Sequence, residues 1–92
     1  LDFSNRHLLM QHIRSIVSDG RCALMCIHSP ELALEYCDNI FLMKAGTILT
    51  SINTHTDSLD TINEKLSLIY DNINVIECTD IHHKTHRVVV AL

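Results

Sequence analysis

The apolar run Ala23-Leu24-Met25-Cys26-Ile27 passes without a polar break into His28-Ser29-Pro30-Glu31. A short apolar run bounded by turn signals predicts a strand buried on both faces, here over residues 21–27, as in parallel α/β sheets. Ser29 and Pro30 fit the N-cap and first position of a helix. Glu31 would then lie near the positive end of the helix dipole. His28 falls at the carboxyl end of that strand, the edge where ligands bind in open α/β sheets. A histidine there can meet a phosphate or a water.

Composition removes several function classes. The 92 residues suffice for one small domain or part of a larger one. At 47% hydrophobic, the chain is built to bury a core rather than to remain disordered. A net charge of −4, with seven scattered Lys and Arg residues, argues against a nucleic-acid surface. No apolar run approaches the roughly 20 residues of a membrane span, and no signal peptide is visible, so membrane contact would come through a partner. Cys22, Cys26, Cys37 and Cys78 show no CxxC spacing and read as buried free thiols rather than disulfides. With only Gly20 and Gly46 present, no GxxxxGK[ST] phosphate loop exists in these residues. A stand-alone nucleotide hydrolase is excluded. Leu1-Asp2-Phe3 enters a helix at once without an initiator Met, as a segment cut from a longer chain would.

Around the central run the pattern alternates. Ser4 can cap a helix over residues 5–18, with Leu9, Ile13, Ile16 and Val17 on one face and His7, Gln11, Arg14 and Ser18 on the other. Gly20 suits a left-handed stop. A short helix over residues 30–36 follows the predicted strand. Residues 39–44 and 47–52 read as a hairpin turning at Ala45-Gly46. Residues 53–60 form a polar linker and a boundary, and Thr61-Ile62-Asn63-Glu64 fits a capping box opening a helix with Leu66, Ile69 and Tyr70. Ile73, Val75 and Glu77, then Val88-Val89-Val90, make a second hairpin.

These residues resemble a family. Leu1-Asp2-Phe3-Ser4-Asn5, an amphipathic helix, Gly20, an apolar run ending in His28, then Pro30, Ala33, Cys37-Asp38 and Lys44-Ala45-Gly46 look like the back half of an ABC transporter ATPase. The opening, with the tail Ile69-Tyr70-Asp71-Asn72-Ile73-Asn74-Val75, is similar to the branch serving iron-siderophore, haem and cobalamin importers. Ser4, Arg6 and Asp71 stand where that branch commonly has Gly, Gln and Gly.

The resemblance implies an α/β fold, the carboxyl-terminal part of a P-loop NTPase: helix-strand-helix, a β-hairpin, then a helix and a second β-hairpin. Residues 1–52 would belong to the ATPase core and residues 53–92 to a linker and tail extension. It implies that Leu1-Asp2 end the D-loop, with Asp2 at the interface between two ATPase subunits. It implies that His28 is the switch histidine, the catalytic contributor that reaches the γ-phosphate and positions the attacking water. The phosphate loop, catalytic carboxylate, magnesium ligands and signature motif would precede Leu1. ATP and Mg2+ would serve the parent protein, and none is expected to bind this segment alone. The implied partners are a second ATPase subunit in a homodimer and a transmembrane permease. The implied place is the cytoplasmic face of the cell membrane, as a peripheral subunit.

A different reading stands beside this one. His82, His83 and His86 have spacings that can bind a transition metal, most readily on a helix. Lying at a predicted turn with Lys84 and Asp80, they equally suit a solvated loop. The chain would then be a small metal-binding or structural α/β module. His7, His12 and His55 read as surface polar groups.

Overall fold

The computed structural model describes residues 2–18 and 20–92. Its elements run α1 (Phe3–Ile16), α2 (Pro30–Tyr36), β1 (Asn39–Lys44), β2 (Thr47–Asn53), α3 (Leu59–Leu66), β3 (Ile73–Thr79) and β4 (Thr85–Ala91). The mixture of helices and strands agrees with an α/β class. The sheets themselves are two separate antiparallel hairpins, β1–β2 and β3–β4.

Both hairpins follow from local chemistry. At the β1–β2 turn, Ala45 (φ 52°) and Gly46 (φ 77°) are both left-handed, the requirement of a tight two-residue hairpin loop. A register irregularity lies between Leu42 and Met43. The ends of this hairpin are tied by Thr54, whose N–H donates to the Asp38 carbonyl at 3.0 Å and whose buried hydroxyl lies 2.6 Å from the Cys37 carbonyl oxygen. The β3–β4 loop is organised by Asp80. One of its carboxylate oxygens accepts from the His82 and Lys84 amides at 2.7 and 3.0 Å, which supports His83 at φ 63°.

One apolar cluster joins α2, the hairpins and α3. Leu34, Leu42, Ile52, Ile62, Leu66 and Val75 are buried together, with Ile40, Leu59, Ile69, Tyr70, Ile73 and Val89 packed around them. It takes side chains from both sides of the polar stretch 53–60. The groups of the tail hairpin that point away from their partner strand are satisfied by helices. Asn63 of α3 accepts from the Val75 N–H at 2.7 Å and donates to its carbonyl at 3.0 Å. On the far edge, the Glu31 carboxylate of α2 accepts from the Val89 N–H at 3.1 Å. Buried backbone groups must find partners, and here two side chains supply them.

Several sequence expectations are corrected. Residues 21–27 form no strand. A strand exists only through a ladder with a neighbour, and no described segment pairs with this one, so Leu24 stands 92% exposed. The first helix is capped by Asp2, which accepts from the Asn5 N–H at 2.8 Å, and not by Ser4. Its facing is also turned. Met10 is the buried residue of α1, flanked on the same stripe by His7 and Arg14; of the expected face Ile13 and Val17 are half-buried beside it, whereas Leu9 and Ile16 are exposed. The surface α1 meets is the Tyr36 hydroxyl and the Asp38 carboxylate at the end of α2, so polar side chains dock it. The third helix starts earlier than expected because Ser58, rather than Thr61, caps it by accepting from the Thr61 N–H. The cysteines are free but not buried: Cys22, Cys26 and Cys78 are exposed and Cys37 is half-buried. For Cys22 and Cys26 the reason is again the unpaired run.

Candidate functional site

Ser29 sets the geometry around His28. Its side chain accepts from the Leu32 N–H at 3.3 Å, and Pro30 takes the first turn of α2 with its φ already suited to a helix. His28 is the residue immediately before this cap, so its imidazole is carried on the rim of the helix start, where it is exposed. Three other imidazoles are tied down, whereas His12, His82 and His83 are exposed as His28 is. His7 Nδ1 lies 2.6 Å from the Tyr36 hydroxyl, His55 Nε2 lies 2.6 Å from Asp38, and His86 bridges two carboxylates. His28 enters no such pair among the described residues, and a ring in this position is open to an incoming group.

Asp2 is placed at the opposite end of α1, with its carboxylate engaged as the N-cap. Leu1, the other residue of the expected D-loop end, lies outside the described residues. Asp2 and His28 share no hydrogen bond or ion pair among the described residues.

The tail histidines separate. His82 and His83 are exposed at the β3–β4 loop. His86 turns inward, with Nδ1 3.0 Å from a Glu35 oxygen and Nε2 2.6 Å from an Asp80 oxygen. Among the described residues no group of three or more His, Cys, Asp or Glu side chains is arranged to hold a metal ion. The hydrogen bond with Asp80, then that with Glu35, pushes the His86 pKa up despite partial burial, and the same contact holds Asp80 below the usual carboxylate range.

A second charged cluster was not legible in the sequence. Asp38 receives Arg14 from α1 at 2.7 Å and His55 from the loop after β2 at 2.6 Å, and these hydrogen bonds hold its pKa down to about 2. Its three members are separated by 24 and 17 positions, and no periodicity relates them. The same is true of Glu35 and His86, 51 positions apart. Only the observation that Glu31 and Glu35 are spaced one helical turn apart hints that α2 presents two carboxylates on one side.

Known proteins are similar to this chain over part of its length. A Listeria monocytogenes protein bearing the name of an ABC transporter ATP-binding protein is 30% identical over 63 residues, 68% of this chain and 24% of that protein. The hemin import ATP-binding protein HmuV of Pseudomonas entomophila is 37% identical over 46 residues, and that of Pseudomonas fluorescens 35% over 46 residues, each 50% of this chain and 18% of the relative. The chain is related to ABC transporter ATPases. The matches span about a quarter or less of those relatives' lengths. No protein-family model and no solved structure matches it.

Proposed function

We propose that the chain is the carboxyl-terminal part of the ATP-binding and hydrolysing subunit of an ABC importer, with His28 as its catalytic contribution. The observation that carries this reading is the placement of His28, an exposed imidazole at the rim of a Ser-Pro capped helix, in a chain related to ATP-binding subunits. ATP is the substrate. Phosphoryl transfer rests on positioning and charge stabilisation, and an imidazole serves it by donating an N–H to a γ-phosphate oxygen or by holding the attacking water in line.

The described residues offer no cradle for Mg2+ and no glycine-rich loop, so this chain assigns no step to the metal. Phosphate loop, magnesium ligands and catalytic carboxylate belong, on this reading, to residues outside it. Residues 1–52 complete the ATPase core of a P-loop NTPase and residues 53–92 form the tail. Asp2 sits at the interface with a second subunit of a homodimer, a role compatible with capping α1. Iron-siderophore, haem or cobalamin is the cargo class, supported by the hemin import relatives. The subunit works beside a transmembrane permease at the cytoplasmic face. No helix among the described residues is long and apolar enough to cross a membrane.

In the complete subunit, His28→Ala is expected to leave ATP affinity within a few fold and to lower turnover by roughly 10²-fold, the scale of losing a positioned acid–base or charge-stabilising group. His12→Ala, on the exposed side of α1, serves as the control. Undiminished turnover in the His28 variant would remove the reading.

A further inference from the structure

Beyond the apolar cluster that Leu34 shares with Val75, the tail hairpin and α2 are joined by acidic side chains of the helix. Glu31 and Glu35 stand one turn apart and both reach β4: Glu31 accepts from the Val89 N–H at 3.1 Å, and Glu35 lies 3.0 Å from His86 Nδ1. On its other side His86 presents Nε2 to Asp80, at 2.6 Å. Both ring nitrogens thus face carboxylate oxygens. A carboxylate can only accept, and a neutral imidazole has one N–H to give. In the neutral ring one of these two contacts sets lone pair against lone pair at about 3 Å, so the arrangement requires the imidazolium.

We propose that protonated His86 is a latch that fastens the β3–β4 hairpin to α2, and that on loss of its proton the remaining N–H stays with Asp80, the shorter contact, so the tie to Glu35 is given up and the docking of the hairpin on α2 loosens. The groups around it are mixed. The groove beside His86 is lined from α1 by Arg6 and His7, and from α2 by Glu31, Glu35 and Tyr36. From the hairpin come Cys78, Asp80, Lys84 and Arg87, with Glu77 in the adjoining hollow. Several are engaged elsewhere. His7 bonds Tyr36, Glu31 holds the Val89 amide, and Arg87 donates to the Thr54 carbonyl at 2.8 Å. The two carboxylates in contact therefore set the state of the ring, and the raised pKa of His86 agrees with them.

The sign follows. A histidine whose pKa is raised on docking contributes fully below its ordinary value of about 6.5, and the contribution fades as pH climbs through the raised value. Asp80, held low, contributes above the ordinary carboxylate range and is lost only in acid. The latch is closed below the ordinary histidine value and opens as pH rises through the raised one. It acts on the helix that begins two residues after His28. On the ATPase reading, to which this consequence alone is tied, it bears on the placement of that imidazole.

Amide hydrogen exchange in the chain tests the latch without nucleotide. Val89 reports docking through Glu31, whereas Val75, held by Asn63, reports the hairpin itself. The ratio of Val89 to Val75 protection is expected to fall by about tenfold as pH rises past the loss of the His86 proton, a single-proton dependence. His86→Gln should lower the ratio and flatten its pH profile. His86→Lys, which keeps its charge to about pH 10, should hold the ratio high throughout. A wild-type ratio independent of pH, or a lysine variant that behaves like the glutamine one, would overturn the proposal. The wild-type profile decides even where a variant fails to fold, and failure of the ATPase reading would leave it untouched.

Discussion

From α2 to the end of β4, six buried apolar side chains form a shared cluster, and the outward-facing backbone of Val75 and Val89 is met by Asn63 and Glu31. Before α2, Met10 is the buried side chain, while Phe3, Leu8 and Leu24 stand 68%, 61% and 92% exposed. The two regions have similar apolar content, and the later one also leaves Phe41, Met43, Ile48 and Ile81 exposed, but it alone gathers a buried cluster. The later region contains both halves of the contacts in that cluster. The earlier one has an apolar helix stripe and an apolar run whose partners are not among the described residues. It is also the region that ends in His28, so the residue proposed for chemistry sits on the part of the molecule with the fewest buried apolar side chains among the described residues.

Four substitutions sharpen or break this contrast, taken from the largest effect down. Ile62→Ala, at the centre of the cluster and fully buried, is expected to cost about 2–5 kcal/mol in chemical denaturation. A loss below about 1 kcal/mol would mean the cluster is not the core. Asn63→Ala strips partners from both backbone groups of buried Val75 and should cost about 1–3 kcal/mol, accompanied by faster exchange of the Val75 amide. An unchanged Val75 exchange rate would contradict that account.

Asp38→Asn should act mainly through pH. A carboxylate held down to about 2 contributes stability above its ordinary value, and this is lost as pH falls from about 4 toward 2. Because Asp38 and Arg14 are each about half exposed, the effect stays within the roughly 1 kcal/mol ceiling of a surface pair. The variant should lack that acid-side slope, and retention of the full slope would point to other carboxylates. Leu24→Ser is expected to change stability by no more than about 0.5 kcal/mol, since the side chain is in water already. A drop of several times that size would show that residues 21–27 are packed after all.

Much of the later region could be read along the chain. The turn at Ala45-Gly46, the Ser29-Pro30 helix start and the alternation of Ile73 and Val75 are local signals, and each element appears at those residues. Local signals failed where a partner was needed. The run 21–27 has the composition of a buried strand, but hydrogen bonding between strands is a property of pairs. The stripe of Leu9, Ile13 and Ile16 has helical spacing, but which face of a helix is covered depends on what lies beside it.

By itself, the sequence determined the three helices and two hairpins that do form, the turn at Ala45-Gly46, the place of His28 before α2 and the resemblance to ABC transporter ATPases, because these rest on contacts within a few residues or on direct comparison of residue order. Only the tertiary structure decided that α1 docks by His7, Met10 and Arg14, that Asp38 gathers Arg14 and His55, and that His86 lies between Glu35 and Asp80. These associations join residues as many as 51 positions apart. Their geometry is set by how helices and hairpins pack, and no residue carries a local mark of its distant partner.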